Sequence, residues 1–178
     1  MHNDSLPRVS IVLPTFNGAR YIRQSIDSCL SQTYKNIELI IVDDGSTDET
    51  PKIIKSYKDK RTKWFTHEEN KGLPQALNTG FSKATGEYLT WTSDDNYYAK
   101  EAIEKMMAFL RDKKCPVVFC DFYCFADKDL SDLRIERLYD VPPLEDGNYI
   151  GPCFLYSRRI KDVVGDYDLE AALAEDYD

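Results

Sequence analysis

Two pairs of adjacent carboxylates, Asp43-Asp44 and Asp94-Asp95, are the residues of this chain best suited to chemistry. Each pair closes a strand-like run. Ile37 to Val42 is apolar except for Glu38, and Tyr88-Leu89-Thr90-Trp91-Thr92, punctuated by Gly86, is aromatic and β-branched. Ser93 and Asn96 flank the second pair and mark a turn. Two like charges ~6 Å apart at an effective dielectric of ~20 repel by roughly 3 kcal/mol. A cation would offset that repulsion, and oxygen ligands on a loop suit Mg²⁺ or Mn²⁺. The bland alternative is a solvated acidic turn that caps the next helix.

The elements that must position these acids alternate in type. Val9-Ser10-Ile11-Val12-Leu13, ended by Pro14, reads as a buried strand, and Asn17-Gly18 as a turn. Tyr21, Ile22, Ser25, Ile26, Cys29 and Leu30 share one helical face. After Asp43-Asp44, Ser46 or Thr47 is expected to cap a helix carrying Ile53, Ile54 and Tyr57. Lys63 to Thr66 predicts a third strand, Leu73 to Ala84 a helix, Lys100 to Lys113 a second clear amphipathic helix, and Pro116 to Phe125 one further strand. Beyond it come an acidic turn over Asp127 to Asp132, an edge strand over Arg134 to Tyr139, and loop signals at Val141-Pro142-Pro143 and Asp146-Gly147-Asn148. Gly151 to Tyr156 reads as a last strand, followed by a short helix from Ser157 to Val164. Alternating strands and helices imply right-handed crossovers and a mostly parallel sheet. Ligands bind such sheets beyond the carboxyl ends of the strands. Pro14 to Asn17, Asp43-Asp44 and Asp94-Asp95 all follow strand ends, so the topology gathers them on one rim. That convergence favours the functional reading over the bland one.

Composition narrows the classes. The 178 residues fit one domain with a real core, and 42% hydrophobic content argues against disorder. A net charge of −8 without a basic stripe makes nucleic acid an improbable partner. No apolar run is long enough to span a bilayer, and MHNDSLPR lacks a signal-peptide core. The five cysteines are odd in number and form no CxxC pair, which suits core packing in a reducing cytoplasm. Cys120 and Cys124, an even number of positions apart, are expected on the same side of one strand.

Four segments together carry a family resemblance. VSIVLPTFNGARYI, SQTYKNIELIIVDDGSTDET, NKGLPQALNTGFSKATGEYLTWTSDDN and the closing AEDYD resemble the family 2 glycosyltransferases of GT-A fold, a Rossmann-like three-layer α/β/α architecture. The resemblance implies transfer of a sugar from a nucleotide-sugar donor, with a UDP-sugar favoured, to an acceptor hydroxyl with inversion. It further implies that Pro14, Thr15 and Phe16 line the base and ribose, with Phe16 stacking on a pyrimidine. The alternative for Phe16 is a core phenylalanine. Asp44 corresponds to the acceptor of the base N–H, with Asp43 supporting the loop. Lys71 falls near base or phosphate, Asp94 near the ribose, Asp95 on the divalent metal, and Asp176 at the general base. Thr92 stands where the family often has an aspartate, leaving Thr92-Ser93-Asp94-Asp95.

A carbohydrate or lipid-linked sugar acceptor, cell-surface polysaccharide synthesis and a cytoplasmic location follow as expectations from the same resemblance. So does one catalytic domain over 1–178, cut short on its acceptor side, with peripheral membrane association through the part that would follow. Rival readings lack supporting residues. A nucleotidyltransferase would want a glycine-rich phosphate loop after the first strand, where only Gly18 stands. A receiver-like domain would carry its acid pair after the first strand, not the second. A non-catalytic nucleotide-binding module draws support only from Thr92 and the early end of the chain.

Overall fold

The structure, a computed structural model, describes residues 6–126, 129–137 and 151–170. Two strands form its centre, β1 (Val9–Thr15) and β2 (Ile37–Asp43), and every residue of both is buried. Burial on both faces is what continuous Val/Ile/Leu runs require of parallel strands. Outward from β2 lies β3 (Thr62–Thr66), and on the other side of β1 lies β4 (Tyr88–Trp91), all parallel. Two further strands complete a six-stranded sheet in the order β3-β2-β1-β4-β8-β5. They are β5 (Val117–Phe119) and β8 (Phe154–Ser157), and β8 runs antiparallel to both of its neighbours.

The period-2 alternation of the strands distributes the core over two faces. Val9, Ile11 and Leu13 of β1 and Ile37, Leu39 and Ile41 of β2 pack with three helices, α1 (Ile22–Leu30), α2 (Thr50–Ser56) and α4 (Ala102–Lys113). Val12, Ile40 and Val42 point the other way, onto Ala76, Leu77 and Phe81 of α3 (Leu73–Lys83). The result is the expected α/β/α sandwich with a mostly parallel sheet. Gly80 explains how closely α3 lies on β1, because a Cβ there would overlap the Val12 side chain. A short helix, α5 (Arg158–Val164), follows β8 directly.

Four expectations about the second half need correction. Pro116 to Phe125 is not one strand: it splits into β5 and β6 (Phe122–Ala126), with the break at Cys120-Asp121. β8 inserts between β4 and β5, so β5 ends with its register and the chain leaves the sheet. The edge strand expected at Arg134 to Tyr139 belongs instead to β7 (Asp129–Glu136), which pairs with β6 as a separate antiparallel ribbon. That strand also takes up most of the expected turn at Asp127 to Asp132. Cys120 and Cys124 therefore do not share a strand face. The loops expected at 141–143 and 146–148 lie outside the described residues.

Glu38, the single charge in the apolar run, forms a buried polar knot at the amino end of the sheet. Its carboxylate accepts from Ser10 Oγ at 2.7 Å, Thr85 N–H at 2.6 Å, Thr85 Oγ1 at 2.8 Å and Lys63 Nζ at 2.9 Å. Burial alone would raise its pKa, but these four donors outweigh burial and hold it at about 2. A folded-state pKa below the free value of 4.5 contributes stability that is complete above 4.5 and is lost as pH falls through about 2. Glu38→Gln is expected to lose about 2 kcal/mol at neutral pH. Its deficit against wild type in urea melts should narrow as the pH is lowered from 4.5 towards 2. A deficit that stays constant across that window would show that the charge contributes nothing.

Candidate functional site

Strand register alone assembles the acidic rim. β1 and β2 align Thr15 with Asp43, and β1 and β4 align Val12 with Trp91. Counting three residues on from Val12 and from Trp91 brings Thr15 level with Asp94. Neighbouring strands are about 4.8 Å apart, so Asp43, Thr15 and Asp94 form a row across the carboxyl ends of β2, β1 and β4. The Thr15 hydroxyl donates to Asp94, and the Thr15 carbonyl accepts the Asp44 N–H at 2.8 Å. Gly18 lies beneath this contact, and a Cβ there would overlap both the Asp94 carboxylate and the Thr15 hydroxyl. Glycine is required here by close approach.

The two members of each acid pair differ in environment. Asp94 is partly buried, and burial first, then the charges of Asp95 and Asp48, push its carboxyl above the ordinary range against the pull of Thr15. Asp95 is exposed. Asp43 is 1% exposed; its Oδ1 accepts the Ser46 N–H at 3.0 Å, and its Oδ2 is buried with no hydrogen-bond partner among the described residues. Asp44 is the best satisfied of the four. It accepts backbone N–H groups from Lys71 at 3.0 and 3.1 Å and from Gly72 at 2.8 Å, and contacts His67 Nδ1 at 2.6 Å. His67 Nε2 in turn meets Thr79 Oγ1 at 3.0 Å. Asp44 thus fixes the loop that presents Lys71, whose side chain is exposed.

Phe16 is 46% exposed, which removes the core-phenylalanine alternative and leaves its ring available on the rim. Pro14 and Thr15 are buried in β1. Asp176 lies outside the described residues. The structure therefore brings Pro14, Thr15, Phe16, Asp44, Asp94 and Asp95 onto one rim, and Asp44 ties the Lys71 loop to it.

Several positioning residues escaped the sequence reading. Asn17 and Ala19 dock the first loop on the second: Asn17 N–H donates to Ser46 Oγ at 2.9 Å, Thr47 N–H to Asn17 Oδ1 at 2.9 Å, and Ala19 N–H to Asp48 Oδ2 at 3.2 Å. Ser46 and Thr47 are thereby occupied and do not cap α2; Asp48 Oδ1 takes the Thr50 N–H at 2.9 Å instead. The acidic loop is anchored at both ends. Ser25 Oγ donates to the Ser93 carbonyl at 3.0 Å, Tyr98 N–H donates to Ser28 Oγ at 3.1 Å, and the buried Tyr98 hydroxyl reaches the Trp91 carbonyl at 3.2 Å. Ser25 did leave a signal, as a polar residue on the packed face of a helix.

Among the described residues no group of three or more His, Cys, Asp or Glu side chains could hold a metal alone. The adjacent carboxylates Asp94 and Asp95, with their excess of negative charge, nonetheless fit a hard divalent cation, for which they would supply oxygen ligands. Among the described residues no helix is long and apolar enough to cross a membrane.

The mostly parallel sheet between helical layers is the fold of the GT-A glycosyltransferases. Among solved structures, Staphylococcus aureus TarS (residues 1–349) in complex with UDP matches with a TM-score of 0.77 at 24% identity, over 95% of this chain and 52% of that one. The mannosyltransferase PcManGT from Pyrobaculum calidifontis, solved with GDP-Man and Mn²⁺, matches with a TM-score of 0.75 at 24% identity, over 98% and 51%. At the level of sequence, the model of the family "Glycosyl transferase family 2" matches residues 10–168, and this chain belongs to that family. An uncharacterized glycosyltransferase of Rickettsia prowazekii, RP339, is 43% identical over 139 residues, 77% of this chain and 41% of its own length. The glycosyltransferase GlyG of Streptococcus pneumoniae is 37% identical over 124 residues, covering 68% and 41%. The chain thus spans less than half the length of these two relatives.

Proposed function

We propose that this chain supplies the donor-binding and catalytic part of an inverting glycosyltransferase that uses a UDP-sugar. The observation that carries the proposal is the row of Asp43, Thr15 and Asp94, with Asp95 beside it, across the carboxyl ends of three adjacent parallel strands. Phe16 stacks on the uracil, and Asp44 accepts the imide N–H alongside the backbone donors it already holds. Asp94 takes a ribose hydroxyl, and Lys71 approaches the diphosphate. Asp95 would hold Mn²⁺ or Mg²⁺, which when bound would offset the negative charge of the leaving diphosphate. Asp176 accepts the proton of the attacking hydroxyl from the face opposite the diphosphate, an in-line arrangement that inverts the anomeric centre. The acceptor we assign is a carbohydrate or lipid-linked sugar in cell-surface polysaccharide synthesis, reached from the cytoplasmic side. TarS structures with UDP and with UDP-GlcNAc support the donor class, and the Mn²⁺-bound mannosyltransferase supports the cation.

The test is a panel of UDP-, GDP- and dTDP-sugars incubated with the protein, Mn²⁺ and candidate acceptors. Free UDP is expected from one or more UDP-sugars. Release of pyrophosphate from a nucleoside triphosphate and a sugar phosphate would point to a nucleotidyltransferase, and a protein that neither binds nor turns over any UDP-sugar would overturn the proposal.

A further inference from the structure

Cys120 and Cys153 face each other across the antiparallel pair of β5 and β8. The register Val117↔Tyr156, Val118↔Leu155, Phe119↔Phe154 places them one step further on, and the Cys120 N–H donates to the Cys153 carbonyl at 3.0 Å. Their sulfurs are 3.0 Å apart. Directly opposed residues of this hydrogen-bonded kind have Cα atoms about 5.5 Å apart, inside the span of roughly 4.4–6.8 Å that disulfides adopt. Both thiols are half-buried and line a cavity of about 990 Å³ that also meets Asp95 and Tyr97. The other three cysteines are placed differently. Cys29 is fully buried, which pushes its thiol up to about 12, Cys115 is half-buried against the main core, and Cys124 is exposed on β6.

We propose that Cys120 and Cys153 form a reversible disulfide, a thiol-redox modification site beside the acidic loop. The oxidant is a low-molecular-weight disulfide such as glutathione disulfide. The Cys120 thiolate attacks one of its sulfurs, forming a mixed disulfide and releasing one glutathione thiolate. Cys153 then displaces the second glutathione and closes the protein disulfide, its proton passing to the departing thiolate. Two protein thiols are oxidised and one glutathione disulfide is reduced to two thiols. The order of attack follows from the contact. Either thiol can donate across the 3.0 Å contact; with Cys153 as donor the Cys120 thiolate is favoured and its pKa lies below that of an ordinary thiol, and the same contact, then burial, pushes Cys153 well above it.

Oxidation ties the end of β5 to the start of β8 around the β6–β7 ribbon. Phe154, next to Cys153, accepts the Thr90 hydroxyl on its carbonyl at 2.6 Å and packs edge-on against Trp91. The cross-link therefore stiffens the support of the strand that leads to the acidic loop.

The experiment equilibrates the folded protein in mixtures of reduced and oxidised glutathione, quenches with acid, alkylates, and maps peptides by mass. Wild type is expected to lose two of its five alkylatable thiols, with the new bond between Cys120 and Cys153. Reductant should reverse it, and the oxidised form should melt roughly 5 °C higher. Cys153→Ser should stop at a glutathione adduct on Cys120, Cys120→Ser should give no internal disulfide, and Cys124→Ser should behave as wild type. Wild-type mapping requires no variant to fold. Five alkylatable thiols at every glutathione ratio, or a disulfide that maps to Cys124, would overturn the proposal.

Discussion

UDP titrated into the Asp95→Ala variant is expected to bind with the same affinity in Mn²⁺ as in EDTA, whereas wild type should bind more tightly in Mn²⁺. Asp95 is the exposed member of its pair, and Asp94 is already committed to Thr15 and disfavoured as a charge by burial. Removing Asp95 leaves a single partly buried carboxylate, too few ligands to retain a hard cation beside the phosphates. Turnover should fall by ~10² or more, since charge stabilisation on the leaving group is lost in the transition state. The strand row does not depend on this side chain, so the variant should melt close to wild type. Equal UDP affinity of wild type in Mn²⁺ and in EDTA would refute the assignment.

Asp176→Asn is expected to separate binding from chemistry. The amide is nearly isosteric with the carboxylate, so UDP affinity should survive, but it cannot take a proton from the attacking hydroxyl. Loss of a general base lowers turnover by roughly 10²–10⁴-fold, and the loss should fall on kcat with little change in donor KM. Single-turnover measurements with a radiolabelled donor give both quantities. Wild-type turnover in this variant would exclude Asp176 as the base, and retention of the donor's anomeric configuration in the product would contradict inversion.

The placement of the acidic rim was legible in the sequence because its two determinants are local. A buried parallel strand writes itself as an apolar or β-branched run; Asp43 closes the first such run directly, and Asp94 follows Tyr88–Trp91 by three residues. Topology rules then bring the ends together without any knowledge of side-chain contacts. What could not be read depends on partners distant in the chain. His67 is an ordinary loop residue until Asp44, 23 positions earlier, lies against it. Asp48 looks like one more acid in DDGSTD, yet it receives the Ala19 N–H from another loop. The error at Pro116 to Phe125 has the same origin. VVFCDFYCF carries strand propensity on both sides of Asp121, and it breaks at Cys120-Asp121, where its partner β8, more than thirty residues later, begins. Propensity describes one segment, whereas strand order is settled between segments.

The Glu38 knot has a bearing on how variants of this protein will sort. Glu38 and Asp43-Asp44 sit at opposite ends of the same strand, and five residues at about 3.3 Å each put them roughly 16 Å apart. At one end the acid is surrounded by donors and acts only through the cohesion of the sheet. At the other, Asp44 is held by the loop, but Asp43 keeps a buried oxygen without a donor among the described residues and Asp94 and Asp95 press against one another, a state that favours incoming cations and hydroxyls over cohesion. Lesions near Ser10, Glu38, Lys63 and Thr85 should therefore appear as lower yield and lower melting temperature, with per-molecule activity intact. Lesions at Phe16, Asp94 and Asp95 should appear as well-folded protein that does not turn over. Sites more than about 10 Å apart without shared partners usually combine additively. Stabilising changes made at the amino end of the sheet could then be carried into rim variants without altering what those variants report about donor chemistry.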